Sequence, residues 1–234
     1  MPKSRVSACW LAGIVACAAV AAEPIDSVNT GIGSISHMLV PTFRTVQRPN
    51  AMYRFNAAAA QFTQDRISGL WLQNPGHRDR PVFSVRPLCG TASDDDWATS
   101  WDQEHARPYG YDVYLVAPAV RFAVAPGEKT AAMEFRFERD GPQALSFGLS
   151  DASGSYAAKG GVLEGTDVFH GLRGCQAKVY LHAEFDREPS AVRLADDRTV
   201  LFFGTRAGCV KMRFGISYIS PEQAARNLAL EGTG

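Results

Sequence analysis

A chain of 234 residues is long enough for one large β-domain, or for about one and a half domains of average size. With 24 Lys+Arg against 24 Asp+Glu it has no net charge, which argues against a nucleic-acid wrapper, because displacing phosphate counterions needs a basic surplus. At 46% hydrophobic and 21% charged residues it can bury a sizeable core, which rules out wholesale disorder.

Residues 1–22 read as a secretory signal. Lys3 and Arg5 precede an apolar run over 6–20, and Ala19-Val20-Ala21 or Val20-Ala21-Ala22 supplies a small-x-small cleavage site before Glu23-Pro24. The run is shorter than the about 20 residues that span a bilayer. The expected localisation is periplasmic or extracellular, with a mature chain starting at Ala22 or Glu23. Ile14-Val15-Ala16-Cys17 also resembles a bacterial lipobox, and a membrane partner is expected only if Cys17 is lipidated. Beyond the signal stand Cys89, Cys175 and Cys209, too widely spaced for a zinc motif. They read either as buried apolar thiols or as a Cys175–Cys209 bridge with one thiol left over.

Residues 24–108 hold short strand-like pieces at 52–55, 67–72 and 82–86, with an acidic and aromatic loop expected over 91–108. From residue 82 onward the period is two. Met133, Phe135 and Phe137 alternate with Glu134, Arg136 and Glu138, and the same pattern recurs around Leu181 and around Phe214. Half-buried antiparallel strands produce it. Ala125-Pro126-Gly127, Asp140-Gly141-Pro142 and Gly160-Gly161 supply turns between them. The expected fold is all-β, a large antiparallel β-sandwich of the supersandwich kind over residues 23–219, with no parallel crossover. At the end, Ser220-Pro221-Glu222-Gln223 pairs a capping serine with proline at the first helical position, so residues 220–234 are expected to open a linker helix.

Catalytic constellations are hard to find. Asp94, Asp95, Asp96, Asp102 and Glu104 lack the alternating oxygen ligands and closing Glu of a calcium loop, and read as a solvated acidic stretch. His37, His77, His105, His170 and His182 are scattered. Ser34, Ser36 and Ser153 lack a Gly-x-Ser-x-Gly elbow. Gly31-Ile32-Gly33 sits outside any strand–helix unit and carries no nucleotide signal.

Sugar-contact chemistry is easier to find, because aromatic faces stack on ring C–H groups and planar polar side chains bond to hydroxyls. Trp71-Leu72-Gln73-Asn74-Pro75-Gly76-His77-Arg78 carries those residue types, although Trp71 also reads as a core residue. His37 with Arg48 and Asn50 carries them too.

Two segments resemble the N-terminal domain of glycoside hydrolase family 92, the calcium-dependent exo-α-mannosidases of bacteria. The first is Val28-Asn29-Thr30-Gly31-Ile32-Gly33, followed by Pro41-Thr42 and by Thr45-Val46-Gln47-Arg48-Pro49-Asn50-Ala51-Met52. The second, Gly215-Ile216-Ser217-Tyr218-Ile219-Ser220-Pro221-Glu222-Gln223-Ala224-Ala225-Arg226-Asn227-Leu228, is similar to the stretch that closes the family's β-domain and opens its interdomain helix. Ser34-Ile35-Ser36-His37 departs from a glycine- and histidine-rich run in many members.

The resemblance implies a β-sandwich that packs on an (α/α)6 barrel. In the family the barrel supplies the acid and base carboxylates of an inverting hydrolysis, about 6.5–9.5 Å apart, and most of a Ca²⁺ shell. No carboxylate pair here matches that motif, so no catalytic or metal residue is expected and Ca²⁺ is expected only of the complete enzyme. The expected partners are an α-mannoside and the missing catalytic domain. The expected sugar contacts are His37, Arg48, Asn50 and Trp71. The leading expectation is a truncated chain, inactive alone, that forms one wall of a mannose pocket. A stand-alone carbohydrate-binding module and a nonfunctional gene fragment are the alternatives.

Overall fold

The computed structural model describes residues 23–32, 44–58, 66–75, 81–90, 94–95, 97–151, 153–170, 176–195 and 197–231. The signal region, His37, His77, Arg78 and Cys175 lie outside the described residues.

A 3-10 turn at Pro24–Ser27 leads into β1 (Thr45–Val46), β2 (Arg54–Ala58), β3 (Gly69–Gln73), β4 (Pro81–Cys89), β5 (Trp101–Arg107), β6 (Gly110–Leu115), β7 (Val120–Pro126) and β8 (Thr130–Phe137). There follow β9 (Gln143–Leu149), β10 (Ser155–Lys159), β11 (Val162–His170), β12 (Gln176–Phe185), β13 (Ala191–Ala195), β14 (Arg198–Gly204), β15 (Gly208–Ser217) and the helix α1 (Pro221–Glu231). They build two antiparallel sheets, ordered β1-β2-β3-β4-β9-β14-β13 and β10-β11-β12-β15-β8-β7-β6-β5.

The period-two pattern turns one side of each strand inward. On β7, Val120, Phe122 and Val124 are buried while Arg121, Ala123 and Ala125 are exposed. Aromatic rings meet between the sheets, with centroids 5.4 Å apart for Phe55–Phe122, 6.0 Å for Phe147–Phe185 and 5.5 Å for Tyr53–Phe214. Large apolar side chains from two facing sheets therefore form one continuous core, as expected of a sandwich.

The loop expected over 91–108 is only partly a loop. Its second half is β5, an edge strand broken by a bulge between Asp102 and His105 with Gln103 at φ 50°. Charged residues on both faces of an edge strand erase the alternation that marks inner strands.

α1 lies on the outer face of the eight-stranded sheet. Along β15 every residue from Phe214 to Ser217 is buried, because the core covers one face there and the helix covers the other. Gly215 makes the approach possible: a Cβ at this position would stand 2.3 Å from the Ala224 carbonyl oxygen and 2.9 Å from the Leu228 amide. Ser220 caps the helix, its Oγ accepting from the Gln223 amide at 3.2 Å. Buried Asn227 donates to the Ile216 carbonyl at 2.8 Å. Among the described residues no helix is long and apolar enough to cross a membrane.

Candidate functional site

Arg48 and Asn50 share one exposed turn between β1 and β2. The Ala51 amide donates to the Arg48 carbonyl at 3.2 Å, and Asn50 adopts φ 61°, a conformation that asparagine tolerates better than most residues. The turn is fixed from behind. The Met52 amide donates to the Glu128 carbonyl at 2.7 Å, the buried Tyr53 hydroxyl to the Thr130 carbonyl at 2.7 Å, and the Tyr218 hydroxyl to the Met52 carbonyl at 3.1 Å. Burial pushes the Tyr53 phenol far above its ordinary range, so it stays a donor. The opening and closing segments of the chain thus meet at one end of the sandwich, where α1 begins.

Trp71 stands elsewhere, on the outer face of the seven-stranded sheet between Asn56 and Ser84. It is half-buried rather than part of the core, with its indole lying over Gly69, where a Cβ would come 2.3 Å from Nε1. Beside it, wholly buried Asn56 donates to Gln73 Oε1 at 2.7 Å, and its own Oδ1 has no hydrogen-bond partner among the described residues. The structure therefore brings Arg48 and Asn50 together and leaves Trp71 on a separate face.

The acidic stretch is not simply solvated. Asp94 is buried, accepts from the Ser146 hydroxyl at 2.6 Å, and stands 3.5 Å from Arg86 and 3.2 Å from Arg198. Glu104 accepts from Tyr111 at 2.7 Å and from the Trp101 indole at 3.1 Å, and pairs with Arg44. Residue type alone gives no sign of this, because the arginine and tyrosine partners come from other strands.

His170 Nε2 lies 2.5 Å from Asp151, which also accepts from the Ser153 hydroxyl at 2.5 Å. That hydroxyl, and after it the Ser153 amide and His170, hold the Asp151 carboxyl down at about 2. The aspartate stands between serine and histidine, so the imidazole cannot take the serine proton as a nucleophilic triad requires. Nearby Asp167 is fully buried and its carboxyl is raised by that burial, although Ser150 and the backbone amides of Asp151 and Val168 bond to it. Cys89 and Cys209 carry free thiols. Among the described residues no three His, Cys, Asp or Glu side chains converge where a metal could bind.

Two antiparallel sheets, a helix seated on the outer face of one of them, and the 48–53 segment tied to the segment that opens the helix define a sandwich domain. Residues 27–217 match the glycosyl hydrolase family 92 N-terminal domain, and the chain belongs to that family. The α-mannosidase BT3965 from Bacteroides thetaiotaomicron is similar with a TM-score of 0.75 at 17% identity, over 90% of this chain and 35% of that one. The inverting mannosidase BT2199 from Bacteroides thetaiotaomicron VPI-5482 matches with a TM-score of 0.75 at 21% identity, over 89% and 33% of the two chains. The GH92 family glycosyl hydrolase ccman5 matches with a TM-score of 0.72 at 17% identity, over 87% and 34%. At these identities the likeness is one of fold. The chain spans about a third of the length of these structures. No curated protein matches it.

Proposed function

We propose that this chain is the glycan-facing N-terminal wall of a secreted α-mannosidase-type glycosidase, and that it turns over no substrate until an (α/α)6 domain completes it. The observation that carries this reading is the Tyr218–Met52 hydrogen bond, which ties the exposed 48–51 turn to the segment that starts α1. A glycan held by Arg48 and Asn50 would then lie next to the point of attachment of the following domain. Arg48 donates through a planar fork and Asn50 both donates and accepts, which suits vicinal hydroxyls. His37 belongs to the same opening segment, and Trp71 is a second, separate contact. Ca²⁺ binds the complete enzyme, through residues of the catalytic domain. Export removes residues 1–22, or leaves Cys17 lipidated at a membrane. Intact mass distinguishes the two, and a retained Met1 contradicts both.

In an assay of the chain mixed with a family 92 catalytic domain, Arg48→Ala and Asn50→Ala should each raise KM for an α-mannoside several-fold with kcat little changed. An unchanged KM in both variants overturns the assignment of this turn. A stand-alone binding module is the second reading, favoured by half-exposed Trp71 beside the unpartnered Asn56 Oδ1. It requires the isolated chain to bind mannosides saturably, and Trp71→Ala to abolish that binding.

A further inference from the structure

The outer face of the seven-stranded sheet carries a cavity of about 560 Å³ near its β13 edge, a size that suits a small ligand. Its floor is apolar. Leu88 on β4, Ala144 on β9 and Phe202 on β14 are cross-strand neighbours there, with Val200 beside them. Its rim is ionic. Arg198 donates to both carboxylate oxygens of Asp197, at 3.0 and 2.9 Å, and stands 3.2 Å from Asp94 and 3.5 Å from Asp95. The Asp95 and Asp197 side chains nevertheless stay mostly exposed, and each carboxylate keeps lone pairs for a further donor. Asp94 also lines the cavity and is 8% exposed, yet its Oδ1 accepts no hydrogen bond among the described residues.

Arg193 bounds the cavity from β13. Its guanidinium lies over the Phe202 ring, 5.8 Å from the centroid, and makes no ion pair or hydrogen bond among the described residues. The ring thus orients a planar fork whose N–H donors are unspent. Around the cavity three carboxylates, Asp94, Asp95 and Asp197, match three guanidiniums, Arg86, Arg193 and Arg198, and leave no net charge. An entering anion would meet Asp95 and Asp197, and an entering cation would meet Arg193. A neutral polyhydroxylated ring avoids both penalties. Its C–H face fits the apolar floor, while its hydroxyls donate to the aspartates and accept from Arg193.

We propose that this cavity is a second carbohydrate site, which holds a neutral sugar of a glycan on the face of the sandwich opposite α1. It uses neither Arg48, Asn50 nor Trp71, and it does not need the catalytic domain. NMR titration of the chain alone with a neutral α-mannotriose tests it. The amides over 193–195 and 197–202 should shift and saturate. Arg193→Ala, at an exposed position without an ion partner among the described residues, should weaken this binding about tenfold and leave the melting temperature unchanged. Phe202→Leu keeps the floor apolar but removes the ring that orients Arg193, and should also weaken binding. Mannose 6-phosphate and mannosamine should each bind more weakly than mannose, and tighter binding of either contradicts a site for neutral sugars. Absence of saturable shifts at these residues, their persistence in Arg193→Ala, or shifts confined to 48–51 or to the surroundings of Trp71 overturns the proposal. Each of these outcomes leaves the proposed function standing, because the KM of Arg48→Ala and Asn50→Ala tests that separately.

Discussion

Gly215→Ala tests how α1 is held. The added methyl would stand 2.3 Å from the Ala224 oxygen, 2.9 Å from the Leu228 amide and 3.1 Å from Leu228 Cβ, so backbone rather than a flexible side chain obstructs it. Relief requires the helix to rise by roughly 1 Å, since non-bonded atoms settle at about 3.5 Å. If the helix stays in place, overpacking costs about 1–3 kcal/mol. If it lifts away, Leu228 (3% exposed) loses burial worth about 1.5–3 kcal/mol, and the Asn227 bond to Ile216 adds about 1 kcal/mol. The two routes together bracket a loss of about 1–4 kcal/mol, a sizeable part of the 5–15 kcal/mol that holds a typical domain. For a domain of this size, at about 2–4 °C per kcal/mol, the melting temperature should fall by about 2–16 °C. Calorimetry reads that fall, and hydrogen exchange of the amides over 224–231 distinguishes a strained helix from a detached one. A variant that melts with the wild type while those amides remain slow would refute close packing at Gly215.

Three further outcomes follow from the same contacts. Asp94→Asn keeps the shape and the Ser146 bond but leaves Arg86 and Arg198 without their shared carboxylate. With both arginines partly solvent-exposed, the loss of stability should be about 1–3 kcal/mol, read from a lowered urea unfolding midpoint, and an unchanged midpoint would show the cluster to be idle. Asp151 is depressed to about 2, so its favourable contribution is present above the ordinary carboxylate value near 4 and is lost as pH falls toward 2. NMR titration of the side chain should show a midpoint near 2 that moves up in Ser153→Ala, and a midpoint near 4 in the wild type would contradict the Ser153 bond. Asp167 titrates in the opposite sense. Burial raises its carboxyl, so its contribution is greatest below the unfolded value and falls as pH rises through the folded one, a fall that Asp167→Asn should remove.

Strands were legible where one face meets core and the other meets water. β8, β12 and β15 show that alternation, and the structure places Phe135, Leu181 and Phe214 inward as it predicts. β9 shows none, because it is central in its sheet and its first five residues are all buried. β5 escaped for the opposite reason, an edge position with charges on both faces and a bulge. Sheet order was beyond local pattern, since β4 pairs with β9 and β9 with β14 across long stretches of chain. The helix start was plain from Ser220 and Pro221, but its seat on Gly215 depends on a face that alternation cannot assign. At the candidate site, the opening and closing segments were each recognisable. Their junction through Tyr218 and Met52 was not, because it depends on how the whole sandwich closes. Asp94 reads the same in an acidic run whether solvated or buried, and only Arg86 and Arg198 from other strands decide it.

The central claim is that this sandwich contributes substrate contacts to an enzyme whose catalytic carboxylates lie in another domain. Its most direct test is mannose release from an α-linked mannoside in the presence of Ca²⁺, measured for the purified chain alone and after addition of a family 92 (α/α)6 domain. The account predicts no release by the chain alone, and release that rises and saturates as the chain is added to a fixed amount of the catalytic domain. Turnover by the chain alone, abolished by replacing one of its own carboxylates, would contradict it.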